Sequence, residues 1–410
     1  MIETFLLIRY FFFDWIAWFL ALLALGIILF ISARKVCSTK MELFLLGLFA
    51  ASSLFWLASV GLPSSLTYPW NLHTFGPSAG PELPLKNALT FFKHFETIER
   101  TDEIARDPRN LPQPLEREEV ADVSVTLEAV EVIGEMAPEV TFNYWTFDGQ
   151  VPGPFLRVRE GDTVHLTLKN RASNIHQHSI DLHAVTGPGG GHAVTRVNPG
   201  EEKTMTFKAL NPGLFVYHCA TPNVANHMAH GMYGLILVEP ENGLSEVDHE
   251  FYIMQGEFYS LGRLGRKGLQ LFDGQAMLDS RPSYVVFNGR TGALTDQMTV
   301  GTGESVRLYV GNGGVNLVSS FHLIGEIFNR VYPEAAMGPN TPVHENVQTT
   351  LIPAGGATIV EFKTEVPGTY ILVDHALARL DRGAWGTLIV EGEEDPTIFH
   401  GDSSASEHSH

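Results

Sequence analysis

The sequence contains an internal repeat, and this repeat constrains the fold more than any other feature of the 410-residue chain. Apolar residues alternate within each copy, as at Val164, Leu166 and Leu168, with the period of two that is typical of β-strands. Gly and Pro clusters separate these short runs, as in antiparallel sandwiches. Three segments recur in the same order, 161–170 with 303–312, 207–215 with 362–370 and 231–234 with 383–386. Since such recurrence indicates a duplicated domain, we predict an all-β protein with two β-sandwiches in tandem.

The residues before the repeat are more apolar than the rest and predict a membrane anchor in residues 1–62. Residues 15–31 and 43–62 are uncharged, mostly apolar runs, each close to the ~20 residues with which a helix crosses a bilayer. Basic residues between the runs assign that short loop to the cytoplasm by the positive-inside rule. We therefore predict two transmembrane helices in the lipid bilayer of a bacterial inner membrane, with the remaining domains in the periplasm.

The rest of the chain divides into four predicted regions. Eight prolines in residues 63–118 predict a linker. Inside it, residues 87–105 lack Pro and Gly and place apolar residues at three-residue intervals, which indicates an amphipathic helix. We assign the sandwiches to residues 119–240 and 241–395, and a flexible tail rich in Ser and His to residues 396–410.

The charge and the cysteine count exclude two classes of protein. Lys and Arg number 27 against 46 Asp and Glu, and the resulting formal charge of −19 disfavours nucleic-acid binding because it repels phosphate. Only Cys37 and Cys219 occur, so a disulfide framework is not expected. Histidine is abundant, with 17 residues, and several lie near Cys219 at spacings that suit a metal.

The loop that begins at Cys219 has the composition of a copper site. Cys219, His227 and Met232 form a Cys-x7-His-x4-Met motif, and His178 lies upstream near the end of another predicted strand. A thiolate, two imidazoles and a thioether select copper and suit electron transfer. Each residue alone could be an ordinary core residue, and structural zinc sites use a different ligand set. The second copy has Asp374 opposite Cys219, so we predict this site in the first copy only.

A second set of histidines alternates with the first. His183 follows His178 by five residues, and His218 directly precedes Cys219. Because successive residues of a strand point to opposite faces, His218 can face a second metal while Cys219 faces the first. A third ligand is needed, and His375, at nearly the corresponding place in the second copy, is the candidate, although periodicity alone also allows an ordinary strand-end histidine. Three imidazoles with an open position would form a reactive site.

Two further polar residues accompany the second set. Asp181 lies between His178 and His183, and His322 lies in the corresponding segment of the second copy. A carboxylate and an imidazole beside an open metal position form an acid–base pair. Each could also be a surface residue or could orient a ligand.

Taken together, these motifs resemble the copper-containing nitrite reductases, two-domain cupredoxin enzymes, over about residues 120–394. The segments that carry the resemblance are 178–183, 217–220, 227–234, 320–325 and 373–375. The resemblance implies two Greek-key cupredoxin β-sandwiches, a homotrimer and two coppers per chain, called type 1 and type 2. It also implies dissimilatory reduction of nitrite to nitric oxide and water, with the type 2 copper between subunits and fed with electrons by the type 1 copper.

The resemblance assigns the site residues as follows. The implied type 1 ligands are His178, Cys219, His227 and Met232. The implied type 2 ligands are His183, His218 and, from the neighbouring subunit, His375. Asp181 and His322 would be the proton donors, and Ile324 would shape the substrate pocket.

The electron donor and three other interpretations stay open. The predicted membrane helices, the linker and Asn226 before His227 depart from better-known members, so the donor could be a cupredoxin, a cytochrome c or a membrane quinol. A multicopper oxidase would need a histidine directly after the thiolate, where this chain has Ala220, and paired His-x-His motifs beyond His176-Gln-His178, the only such pair in the predicted globular part. A membrane-tethered blue copper carrier would leave the second histidine set incidental, and a trimeric membrane scaffold would leave all of these histidines unexplained.

Overall fold

The computed structural model describes residues 17–34, 41, 44, 46–51, 75–76 and 85–401. The helices are α1 Ala17–Arg34, α2 Leu85–His94, α3 His192–Thr195, α4 Val224–Met228 and α5 Gly274–Leu278, with 3-10 turns at Pro188–Gly191, Pro333–Ala335 and Leu377–Arg382. The strands are β1 Arg100–Thr101, β2 Asp122–Ala137, β3 Val140–Phe147, β4 Leu156–Arg159, β5 Thr163–Asn170, β6 Asp181–Leu182, β7 Glu202–Lys208, β8 Gly213–His218, β9 Tyr233–Glu239, β10 His249–Phe258, β11 Gly268–Gln270, β12 Tyr284–Phe287, β13 Met298–Gly301, β14 Ser305–Asn312, β15 Ser319–Ile324, β16 Phe328–Tyr332, β17 His344–Val347, β18 Thr349–Ile352, β19 Ala357–Lys363, β20 Gly368–Asp374 and β21 Trp385–Glu391.

The strands of the described residues form two sandwiches, as the repeat predicts. In the first, the sheet β11-β3-β2-β5-β7, with β1 added to β2, packs on the sheet β4-β9-β8-β6. In the second, the sheet β12-β10-β14-β19-β16-β17 packs on the sheet β13-β21-β20-β15-β18. The sheets fit the all-β part of the predicted fold.

Strand β9 shows how alternating side chains build two cores at once. Tyr233, Leu235 and Leu237 join an apolar cluster that lies between the two sandwiches. Ile236 and Val238, on the other face of the strand, join the core of the first sandwich. Because both faces are covered, the strand is apolar almost throughout instead of alternating apolar with polar residues.

The prediction of two transmembrane helices is wrong. In the part of the chain that the structure describes, no helix combines the length and the apolar character required to cross a bilayer. Helix α1 has 18 residues, which gives a length of about 27 Å against a hydrocarbon core of about 30 Å. Of the second apolar run, residues 43, 45 and 52–62 lie outside the described residues. The predicted inner-membrane location and the predicted contact with lipid are withdrawn for the same reason.

The described part of the segment before the first sandwich packs onto it. Helix α2 buries Phe91 against Ile133 of β2, in a small apolar cluster separate from the main cores. Residues 63–74 and 77–84 of the predicted linker, and residues 402–410 of the predicted tail, lie outside the described residues.

Candidate metal centres

Three buried side chains, those of His178, Cys219 and His227, converge in the first sandwich and are called the first group. Cys219 directly follows β8, His227 lies in the short helix α4, and His178 forms a backbone bridge with Val197. Their donor atoms all lie within 4.8 Å of one another. The structure thus brings together three of the four residues predicted for the type 1 copper.

Both imidazoles of the first group present the same nitrogen to its centre. The Nδ1 atoms of His178 and His227 are 3.3 Å apart. Cys219 Sγ lies 3.3 Å from Nδ1 of His227 and 3.9 Å from Nδ1 of His178. Two imidazole nitrogens and one sulfur at these separations fit a copper ion, for which a His2Cys set is typical.

The protonation of the first group favours a thiolate. Burial would raise the pKa of Cys219, but the charges and hydrogen bonds of His227 and His178 outweigh burial and hold this pKa well below its usual value. Burial opposes the charge on His178, yet hydrogen bonds to Cys219 and Glu131 raise the pKa of His178 to about 9. The backbone N–H of Ser179 also points at Cys219 Sγ, at 3.4 Å. A thiolate is the form of cysteine that binds a metal.

Met232, the fourth predicted type 1 ligand, is fully buried in the same core as Cys219. The backbone N–H of Cys219 donates to the carbonyl of Met232 at 3.0 Å, which holds the start of β9 beside the end of β8. This backbone contact places the thioether residue next to the thiolate residue in the fold.

Three further residues, which no predicted motif includes, surround the first group: Trp145, His230 and Glu131. The indole of Trp145 stacks on His230, with ring centroids 4.0 Å apart and an interplanar angle of 11°, and its centroid lies 4.7 Å from that of His227. The spacing of three residues from His227 to His230 was a signal that could have been used. Trp145 on β3 and Glu131 on β2 left no local signal, because they belong to a different sheet from the Cys219 loop.

A second group is formed by Asp181, His183 and His218, whose donor atoms also lie within 4.8 Å of one another. Strand β6 pairs with β8, so that Asp181 lies opposite His218. The Nε2 atoms of His183 and His218 are 3.1 Å apart, and Nδ1 of His218 lies 3.0 Å from the carbonyl oxygen of Cys219. Each Nε2 can therefore lie about 2.0 Å from one ion, the usual metal–imidazole distance.

The imidazole of His183 is held in its neutral form. Burial, and then the nearby charge of His218, lower the pKa of His183 below 6.5. The charge of Asp181, and then a hydrogen bond to the backbone of Gly355 in the second sandwich, act in the opposite direction and are weaker. A neutral imidazole with a free nitrogen is the form that binds a metal.

His375, His322 and Ile324 lie in the second sandwich, apart from the second group. The ring centroids of His322 and His375 are 5.4 Å apart. His322 and Ile324 share one face of β15, and the backbone N–H of His375 donates to the carbonyl of Ser320 at 2.8 Å. Among the described residues of one chain, none of the three joins the second group.

Comparisons with known proteins give matches of two kinds. A profile of the multicopper oxidase family matches residues 131–243. A copper-containing nitrite reductase of Neisseria meningitidis serogroup A is 51% identical over 301 residues, which are 73% of this chain and 77% of that protein. A structure of a copper nitrite reductase from Nitrosomonas europaea aligns with a TM-score of 0.58 and 37% identity, over 68% of this chain and 98% of that one. A structure of a multicopper oxidase aligns with a TM-score of 0.58 and 26% identity, over 70% of this chain and 95% of that one.

Proposed function

This chain belongs to the family of copper-containing nitrite reductases, and we propose that it reduces nitrite to nitric oxide and water, using one electron and two protons. The observation that carries the proposal is the covalent link between the two groups. His218, whose Nε2 faces His183, is joined by one peptide bond to Cys219, whose Sγ faces His227. An electron that arrives at the first group therefore has a short covalent path to the second.

We assign two coppers per chain. The proposed type 1 ligands are His178, Cys219, His227 and Met232, because a soft, buried His2Cys set with a thioether residue alongside suits copper electron transfer. The proposed type 2 ligands are His183, His218 and His375. Copper at the first group would supply the electron, and copper at the second would bind and polarise nitrite.

The second group needs a second subunit to be complete. Two imidazoles leave a catalytic copper short of the three protein ligands that such sites usually have, and His375 of the same chain lies beside His322 instead. We propose a homotrimer in which each His375 completes the second group of its neighbour. His322, whose ring lies beside that of His375, and Ile324, on the same face of β15 as His322, would then face the same substrate pocket.

The proposed proton donors come from different parts of the site, Asp181 from the second group and His322 from beside His375. A carboxylate oxygen of Asp181 lies within 4.8 Å of the donor nitrogens of His183 and His218, so it can hold a proton next to nitrite. His322 has Nδ1 2.5 Å from the carbonyl oxygen of Gln348, which leaves Nε2 as its second exchangeable position. Two donors match the two protons that the formation of water consumes.

The donor of the electron is proposed to be a soluble cupredoxin or cytochrome c with a basic face. The formal charge of −19 favours such a partner by electrostatic steering. The rate of reduction by this donor should fall as salt is added, because salt screens the attraction.

Two rival functions are opposed by particular residues. A multicopper oxidase needs a further histidine after Cys219, and Ala220 occupies that position. A blue copper carrier needs no second group, yet Asp181, His183 and His218 meet in one.

The test of the function is an electron paramagnetic resonance spectrum of the copper-loaded protein before and after addition of nitrite. We expect two Cu(II) signals, of which the one with large hyperfine splitting shifts with nitrite. A single narrow-splitting signal that is indifferent to nitrite, at one copper per chain, would exclude the reductase and support a carrier.

The test of the shared site uses two inactive variants, His183→Ala and His375→Ala. Co-expression should restore part of the activity, because some interfaces in mixed trimers combine an intact His183 and His218 with an intact His375. Mixtures as inactive as the separate variants would contradict a site shared between subunits.

A further inference from the structure

A buried carboxylate contacts a proposed copper ligand from outside the ligand set. Glu131 on β2 is 5% exposed, and one carboxylate oxygen lies 3.1 Å from Nε2 of His178. The same oxygen accepts the backbone N–H groups of Ile175 and His176, at 3.0 and 2.7 Å. The second oxygen lies 3.0 Å from Nδ1 of His176. One carboxylate oxygen thus contacts both the backbone and His178, and the other contacts His176.

The second sandwich contains a glutamate, Glu257, at the position that corresponds to Glu131. Comparing the two separates the contact with the loop backbone from the contact with imidazoles. Strand β5 corresponds to β14 in the repeat. The register pairs Val123 of β2 with Val164 of β5, and His249 of β10 with Val306 of β14, and these two partners occupy corresponding positions. Eight residues further along lie Glu131 in β2 and Glu257 in β10. Glu257 is also buried and accepts the backbone N–H of Leu317 at 2.7 Å. Binding the loop backbone is therefore common to both copies of the domain.

The contact with imidazoles occurs at Glu131 and not at Glu257. The second oxygen of Glu257 accepts the hydroxyl of Tyr259. Glu131 therefore contacts two imidazoles where its counterpart contacts a phenol hydroxyl.

We propose that Glu131 is a positioning residue for the type 1 copper, which fixes His178 with Nδ1 toward the metal and favours Cu(II) over Cu(I). The proposal rests on the assignment of His178 as a type 1 ligand. A carboxylate that accepts Nε2–H fixes the tautomer and the orientation of the ring and raises the basicity of the ligating nitrogen. A more basic nitrogen stabilises the oxidised metal more than the reduced metal.

The test compares Glu131→Gln with Glu257→Gln by redox titration of the visible thiolate–copper band. In Glu131→Gln, we expect the ratio of oxidised to reduced copper at a fixed solution potential to fall about tenfold, which equals 59 mV for one electron. The affinity for Cu(II) should fall about 10- to 100-fold. In Glu257→Gln, neither the potential nor the copper affinity should change. Both variants should have lower melting temperatures, because each weakens the contact between its own carboxylate and the loop backbone of its sandwich.

Equal redox behaviour of the two variants would overturn the role of Glu131 and leave it a structural acid. Absence of the thiolate–copper band in the copper-loaded wild type would instead overturn the assignment of the type 1 site. If Glu131→Gln does not fold, Glu131→Asp takes its place, since it keeps the charge but shortens the reach to His178 by one methylene. A potential for Glu131→Asp equal to that of the wild type would also contradict the proposal.

Discussion

The backbone of Gly190 packs directly against the carboxylate of Asp181: a Cβ atom at position 190 would lie 1.7 Å from Oδ1. Gly190 also has a φ of +53°, in the 3-10 turn Pro188–Gly191 that follows β6. This turn therefore forms one wall of the proposed proton donor's position. A side chain at 190 cannot be accommodated unless Asp181 moves.

We predict that Gly190→Ala lowers nitrite turnover about 10- to 100-fold, because displacement of a catalytic group by about 1 Å has effects of this size. The matched control is Gly187→Ala, since a Cβ at Gly187 meets nothing within 4 Å and its φ of 165° is extended. Steady-state kinetics with a copper count per chain measures the effect. Equal turnover of the two variants would show that the position of Asp181 is not critical.

Replacing Cys219 by Ser should abolish the visible thiolate–copper band and reduce nitrite turnover with a protein donor to background. A hydroxyl does not supply the soft anionic ligand that this site needs. The nitrite-sensitive resonance signal of the second group should persist, because His183 and His218 remain. Cys37→Ser is the control, as Cys37 belongs to no predicted site. A visible band that survives Cys219→Ser would refute the ligand assignment.

Replacing Asp374 by Asn should destabilise the second sandwich by about 2 kcal/mol. Asp374 is fully buried and accepts Nε2–H of Gln255 at 3.0 Å. It also forms an ion pair with Arg379, and the substitution removes the negative charge of this pair. Because His375 is the next residue, type 2 copper should be lost before type 1 copper. Urea unfolding and the two resonance signals measure these effects, and Asp395→Asn, at an exposed position, should leave the stability nearly unchanged. Selective loss of type 1 copper would contradict this.

Replacing Asp162 by Asn should lower stability in a pH-dependent way. Asp162 accepts the backbone N–H groups of Arg159 and Ala121, at 2.7 and 2.9 Å, and pairs with Arg117. Burial would raise the pKa of Asp162, but these partners lower it below 3.8. A carboxyl group whose pKa is lower in the folded state than in the unfolded state stabilises the folded protein at pH values above its unfolded-state pKa. This contribution is lost as the pH falls through the folded-state pKa.

The deficit of Asp162→Asn relative to the wild type should therefore be about 2 kcal/mol at pH 7 and shrink below pH 4. Urea unfolding at pH 7 and pH 3.5 measures both values. A deficit that does not change with pH would mean that the charge of Asp162 is not what stabilises the fold.

The sequence was sufficient to predict the all-β sheets, and the prediction of a copper-dependent nitrite reductase is confirmed by its relatives. The assignment of individual copper ligands stays a prediction. Alternation along a strand is visible within a few residues, and the proposed ligands Cys219, His227 and Met232 lie close together in the sequence. The sequence was not sufficient to predict transmembrane helices, because apolar composition does not determine where a helix begins and ends.

The pairing of strands within the sheets also could not be predicted from the sequence. Strand β11, within the predicted second domain, pairs in parallel with β3 and extends a sheet of the first sandwich. Its three residues, Gly268–Gln270, are too few to show a period. Their partner is selected by the packing of the two sandwiches against each other.

What the sequence determined by itself is the chemistry of the proposed ligands, because thiolate, thioether and imidazole are properties of single residues and their spacing follows the alternation of a strand. Only the tertiary structure decided what surrounds those ligands. The carboxylate of Glu131 reaches His178, and the backbone of Gly190 reaches Asp181, through the packing of separate segments. Such contacts depend on how strands and turns are packed in space, which no local pattern of residues specifies.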